Sequence, residues 1–232
     1  MASALGWGAL AASSLLIGGA LVLARPWPRL IVGLVLGFGA GALISAVSFD
    51  LFEEGTRIGG AGWVGAGLAI GAATYFLLDR LVERRGSGRS GAGAGLALGA
   101  LLDGIPEQMV LGIGLAAGEG VSVGLLVAIF VSNLPEAIGA SSDLRDAGHR
   151  PDAIRRLWLL IAVVCTVAAV AGYALADVTS GDVRATINGF AAGALLVMLV
   201  DSMIPEARRK AGRSAGLVTV VGFAVAAALT SL

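Results

Sequence analysis

Charge is scarce in this sequence. Only 14% of its 232 residues are Asp, Glu, Lys or Arg, and sixteen acids offset sixteen bases to give zero net charge, where a soluble domain is about a quarter charged. A chain so balanced offers neither a basic surface nor an acidic tail, and nucleic acid is excluded as an expected partner. The single cysteine, Cys165, excludes an intrachain disulfide framework. The single histidine, His149, stands between Gly148 and Arg150 in a charged stretch. A Ser-His dyad or an H-E-x-x-H pair inside an apolar run is therefore not expected. No Gly-x-x-x-x-Gly-Lys-Ser/Thr occurs, so ATP hydrolysis is not expected to drive any process on this chain. These absences together argue against an enzyme.

What the sequence has in excess is apolar length. Apolar residues make up 57% of the chain, and runs bounded by charged or Gly/Pro-rich breaks fall at about 5 to 24, 30 to 52, 61 to 79, 92 to 118, 121 to 141, 154 to 176, 184 to 206 and 214 to 232. A bilayer core of about 30 Å needs roughly 20 helical residues per crossing. The expectation is an all-α integral membrane protein of eight transmembrane helices, a single permease domain over 1–232, with the lipid bilayer as its surroundings. The first run lacks a basic flank and ends on Ala24-Arg25-Pro26-Trp27-Pro28, which reads as an uncleaved span.

Orientation follows from the bases. The turns after spans 1, 3, 5 and 7 carry 14 of the 16 basic residues, leaving Arg57 and Arg184 to the alternate turns. By the positive-inside rule the odd turns are cytoplasmic and both termini extracytoplasmic, in a multi-pass protein of the plasma or inner cell membrane. Trp7, Trp27, Trp63 and Trp158 all fall near span ends and are expected to anchor at the interface. Asp143, Asp146 and Asp152 alternate with Arg145, Arg150 and Arg155 and read as a salt-bridged helix end.

Two internal likenesses point to inverted repeats. Gly37-Phe38-Gly39-Ala40-Gly41-Ala42-Leu43 in span 2 matches Gly189-Phe190-Ala191-Ala192-Gly193-Ala194-Leu195 in span 7 at an offset of 152, which also pairs Glu54 with Glu206. Asp103-Gly104-Ile105-Pro106-Glu107 in span 4 lines up with Ser132-Asn133-Leu134-Pro135-Glu136 in span 5. Each pair runs in opposite directions, as in inverted-repeat transporters, whose sites lie near the midplane. Close helix packing by small residues is the plainer reading of the glycine-alanine match.

Chemistry concentrates in spans 4 and 5. Asp103 and Glu107 are four apart and share a helix face, as do Ser132 and Glu136. Pro106 and Pro135 each remove a backbone donor and free a carbonyl one turn earlier. Placing Asp103, Glu107 and Glu136 at mid-span costs about 8–10 kcal/mol even on the lenient insertion scale. No Lys or Arg falls in any central apolar region to offset it. A hydrogen-bonded polar seam is one resolution; a divalent cation held by carboxylate, amide, hydroxyl and carbonyl oxygens is the other.

The x-x-Pro-Glu motifs of spans 4 and 5, Gly37-Phe38-Gly39-Ala40-Gly41 leading to Phe49-Asp50-Leu51, and Val200-Asp201-Ser202-Met203-Ile204-Pro205-Glu206-Ala207 resemble those of the ZIP (Zrt/Irt-like) divalent metal transporters. The resemblance covers most of the chain and implies a homodimer that moves Zn²⁺, Mn²⁺ or Fe²⁺ into the cytoplasm as substrate, with no permanently bound cofactor. It implies metal ligation by Asp103, Glu107, Asn133, Glu136 and Ser132. In the family, span 4 reads His-Asn-x-Pro-Glu-Gly; here Asp103 takes the His place and Gly104 the Asn place. Gly104 has no ligating side chain and span 6 has no carboxylate from 154 to 176, so one metal site is expected rather than two. Loss of the imidazole shifts preference toward harder ions. The family's His-rich segment between spans 3 and 4 is replaced by Gly86-Ser87-Gly88-Arg89-Ser90-Gly91.

Asp50, Ser48 and Glu54 close span 2 and form a candidate entrance, the alternative being a solvated helix end. Asp201, Ser202 and Glu206 form a candidate exit, although Glu206 adjoins Arg208 and Arg209. Two other readings are a proton-coupled permease for another cargo and a non-transporting family member.

Overall fold

A chain that offers water so few charges must satisfy its backbone internally, and helices do so within each segment. The computed structural model describes residues 1–85, 90–116, 123–176 and 179–230. Among the described residues every element is helical, and the helices form eight rods. These are α1 (Ala2–Ala24), α2 (Arg29–Gly59), α3 (Ala61–Arg85) and α4 (Ser90–Ala116), followed by α5 (Val123–Asp146), α6 (Pro151–Leu175), α7 (Gly181–Ala211) and α8 (Ser214–Thr230).

Six of these rods, α1, α2, α3, α4, α6 and α7, contain stretches long and apolar enough to cross a membrane. Ser214–Leu229 in α8 is a shorter apolar helix. The linker 86–89, the segment 117–122 and Asp177 lie outside the described residues.

Helices α2 and α7 outrun their apolar cores because their terminal charges ride on helical turns. Arg57 pairs with Glu54 at 2.6 Å and Arg209 with Glu206 at 2.5 Å, each three residues away. Glycine, not charge, ends them: Gly60 and Gly212 take φ of 88° and 60°, where a Cβ would be strained.

The rods pack in two groups. Helix α3 lies along α7 and α2 along α8, while α6 packs on α1 and α4 and α5 fits against both α1 and α4. The groups meet chiefly where α2 crosses α5 and α4 crosses α7. The offset of 152 relates α1 to α6, α2 to α7 and α3 to α8, and the Pro-Glu motifs relate α4 to α5 at an offset of 29; under these two correspondences α2 on α8 becomes α7 on α3, and α1 on α5 becomes α6 on α4. The contacts repeat at residue level. Gly37 and Gly41 face the Ala215 and Thr219 carbonyls of α8, and Gly189 and Gly193 face the Val64 and Leu68 carbonyls of α3. At each of these four positions a Cβ would drive into the facing backbone, so small residues set how closely the helices approach.

Both α2 and α7 widen into a π-helical stretch, at Val47–Glu53 and Leu199–Met203. The two stretches begin 152 residues apart, the same offset as the glycine motifs. By contrast α4 and α5 run on through Pro106 and Pro135.

Two expectations about the surface are corrected. Trp158 is only 1% exposed; its ring covers Gly19 of α1 and its Nε1 donates to the Ser141 hydroxyl of α5 at 2.7 Å. It is a core residue because Gly19 leaves room for the indole, whereas Trp7 and Trp63 are exposed. The acid-base alternation around 143–155 is not one local ladder either. Asp143 pairs with Lys210 of α7, Arg145 donates to the Val22 carbonyl of α1 at 2.6 Å, and Asp152 pairs locally with Arg155 at 3.1 Å.

Candidate functional site

Helices α4 and α5 pack together and bring inward the polar faces that their i, i+4 spacings imply. Glu107 is 6% exposed and Glu136 fully buried. Ser132 and Asn133 are buried beside Glu136, and the Ser132 hydroxyl donates to the Ile129 carbonyl of its own helix at 3.1 Å. The Asn133 Oδ1 has no hydrogen-bond partner among the described residues. A buried amide oxygen left so costs about 1–3 kcal/mol unless something else meets it. Asp103 lies in the helical body of α4, and its side chain is outside those described. Among the described residues no three His, Cys, Asp or Glu side chains form a metal-holding group. The described side-chain oxygens here are those of Glu107, Glu136, Asn133 and Ser132, the last with its proton already given to the Ile129 carbonyl.

The surroundings of this pair come from small residues on neighbouring rods. Gly39 of α2 admits the Pro135 ring and the Met203 methyl of α7; a Cβ there would lie 2.5 Å from the proline and 2.7 Å from the methionine. Gly104, which has no side chain to offer, receives the Cys165 sulfur of α6, 2.6 Å from where its Cβ would stand. Gln108, next to Glu107, is buried and its Nε2 donates to the Gly8 carbonyl of α1 at 3.3 Å. Helices α1 and α6 thus back α4, and neither Cys165 nor Gln108 was marked by a pattern in the sequence.

At the end of α2, the Ser48 side chain is exposed and its hydroxyl donates back to the Ile44 carbonyl at 2.8 Å. Asp50 is half-buried within the π-helical stretch. Glu54 is held by Arg57 through two hydrogen bonds of 2.6 and 2.7 Å, which neutralise it locally. Of the three candidate entrance residues, Asp50 alone combines a carboxylate with this irregular backbone, the kind of helix widening that recurs at functional sites.

Toward the Arg-rich end, Asp201 is exposed while Ser202 turns inward. Tyr75 of α3, fully buried, shares a 3.2 Å hydrogen bond with the Ser202 hydroxyl and donates to the Gly95 carbonyl of α4 at 3.1 Å. Gly95 stands between Ser202 and the Asp79 carboxylate: its Cβ would lie 2.9 Å from one and 3.0 Å from the other. Tyr75 and Asp79 sit four apart on α3, a helical spacing that puts two polar side chains on one face of an otherwise apolar helix.

Glu206, the third candidate exit residue, is 4% exposed and ion-paired to Arg209 at 2.5 Å and Lys210 at 3.2 Å. Lys210 also reaches Asp143 Oδ1 at 2.5 Å. Burial pushes the Asp143 carboxyl up to about 6, opposed by the Lys210 ammonium beside it. Among the described residues, this end of the bundle carries a charge cluster built from α5 and α7.

Residues 83–230 match the family model described as ZIP Zinc transporter. Over 192 residues, 78% of the chain, the sequence is 30% identical to a protein of Arabidopsis thaliana that bears the name of a zinc transporter. The chain spans 31% of that relative's length.

Proposed function

As the chain belongs to the ZIP zinc transporter family, we propose that it is a permease carrying divalent metal ions, of the Zn²⁺, Mn²⁺ or Fe²⁺ class, through a carboxylate site between α4 and α5. The observation that carries this reading is the buried trio of oxygen-bearing side chains on two packed helices. Glu107 and Glu136 supply carboxylates, and Asn133 supplies an amide oxygen that no described residue engages. Carboxylate and amide oxygens are the donors that a hard or borderline cation takes, and Asp103 would add a further carboxylate one turn before Glu107.

All eight rods cross the membrane in this reading, the Arg-rich end faces the cytoplasm by the positive-inside rule, and the protein is a multi-pass component of the cell membrane that works as a homodimer. The ion enters past Asp50, is held by Glu107, Asn133 and Glu136, and leaves past Tyr75, Asp79, Asp201 and Ser202. Helices α1 and α6 move with α4 and α5, because they back them more closely than α2, α3, α7 and α8 do. Rocking of one group against the other gives alternating access without ATP. Proton uptake by a site carboxylate favours release, since metal and proton compete for the same oxygen.

Uptake of Mn²⁺, Zn²⁺ and Fe²⁺ into proteoliposomes tests the assignment. Glu136→Gln removes one charge at nearly constant shape, and the expected result is loss of uptake of every ion that the parent carries. Parent-level uptake of all of them by Glu136→Gln rejects the site.

A further inference from the structure

The charge cluster at the Arg-rich end joins the two helix groups. Asp143 belongs to α5, in the group with α1, α4 and α6; Glu206 and Lys210 belong to α7, in the group with α2, α3 and α8. The Lys210 ammonium lies 2.5 Å from Asp143 Oδ1 and 3.2 Å from Glu206 Oε1. All three side chains are buried, exposed by only 5%, 4% and 4%. At its base Lys210 packs on Gly33 of α2, whose own Cβ would stand 2.7 Å from the lysine Cβ. A small cavity beside it is lined by Arg29 of α2, Asp143 and Asp146 of α5, and Arg209 and Lys210 of α7.

The carboxylates of Asp143 on α5 and Glu206 on α7 both lie against the one buried Lys210 ammonium. Without a cation that approach is prohibitive, because two buried like charges repel and both are desolvated. Arg209 pairs with Glu206 Oε2 and its charge also acts on Asp143, but its side chain is 62% exposed. Lys210 is the buried cation in direct contact with both acids. Its role is directional: a buried ion pair adds little net stability over an apolar contact, but loss of one partner leaves an uncompensated buried charge.

We propose that Lys210 is a tethered counter-ion that clasps the two helix groups at the Arg-rich end, so that this end opens only when the Lys210–Asp143 contact parts. The proposal rests on the transport reading only in that a permease has to open there. The clasp itself is measured with no metal present, so its failure and the failure of the metal site are told apart.

The test uses the full chain in proteoliposomes with Cys165→Ser and a reporter thiol, Ala140→Cys, buried on α5 one turn before Asp143. Alkylation by a maleimide is timed in metal-free buffer. Lys210→Met should speed it by about tenfold or more, and adding Asp143→Asn should return it to within about threefold of the parent, because the second change removes the charge the first left bare. Parent-rate alkylation in Lys210→Met overturns the proposal, and so does failure of Asp143→Asn to slow it again. If Lys210→Met is not recovered folded, recovery of the folded double variant supports the clasp and its absence overturns it.

Discussion

The shared helix seams make a paired prediction. Replacing Gly41 by Ala drives a methyl group into the Thr219 carbonyl and the Phe223 amide of α8, and replacing Gly193 drives one into the Leu68 carbonyl and the Ala72 amide of α3. In both cases the obstruction is backbone, which has no rotamer with which to yield, so the helices must separate along the seam. Overpacking of this kind costs up to about 3 kcal/mol, and the better helix propensity of alanine returns about 1 kcal/mol. A net loss of about 2 kcal/mol corresponds to a fall in Tm of roughly 4–8 °C for a chain of this size. Gly65→Ala on α3 is the control, since nothing lies within 4 Å of its Cβ position. It should hold the parent Tm or raise it. Thermal unfolding of the detergent-solubilised protein, followed by size-exclusion fluorescence, reads all three. Equal Tm values for Gly41→Ala, Gly193→Ala and Gly65→Ala would refute the claim that these glycines set the two helix spacings. A large fall in only one of the seam variants would refute their equivalence.

Other perturbations follow from the same packing. Trp158→Ala removes a buried indole and its bond to Ser141, and should destabilise the protein by about 3–5 kcal/mol; Trp63→Ala, at an exposed position, should change the same melting curve by far less. The charge cluster gives a pH dependence. Asp143, faced by Arg29 of α2, Asp146 of its own helix and Glu206, Arg209 and Lys210 of α7, has its carboxyl pushed from 3.8 up to about 6. A raised acid favours the packed state when protonated. Its stabilisation is therefore full below about 4 and is lost as pH rises through about 6. Unfolding scans should show that trend in the parent and a weaker one in Asp143→Asn, and an unchanged trend would rule out Asp143 as its source.

Much of this architecture is legible in the sequence, for a physical reason. Helix length is imposed by the membrane and small-residue spacing by close helix contact, so the motifs at 37–43 and 189–195 carry both the repeat and the seams. The π-helical stretches at Val47 and Leu199 are not legible, because one extra residue in a turn leaves an apolar run apolar. Pro106 and Pro135 point to irregular backbone in α4 and α5, yet those helices run through while α2 and α7 widen. Trp158 has the sequence position of an interface anchor; its burial depends on Gly19, far away in the chain. The pairing of Asp143 with Lys210 spans 67 residues and has no local signature. Glu107, Asn133 and Glu136 stand out in the sequence because acids and amides are rare in apolar runs, and the structure buries all three, whereas Cys165 packs against Gly104 through sulfur, which apolar patterning does not distinguish from any other small core residue.

The central claim, a metal ion held between α4 and α5, is tested most directly by locating the ion. Crystals of the protein grown with Mn²⁺ and measured at the manganese absorption edge should show anomalous density with carboxylate oxygens of Glu107 and Glu136 both within about 2.0–2.6 Å of it. Anomalous density confined to Asp79 and Ser202 or to the Asp143 cluster, with none between Glu107 and Glu136, would contradict the account.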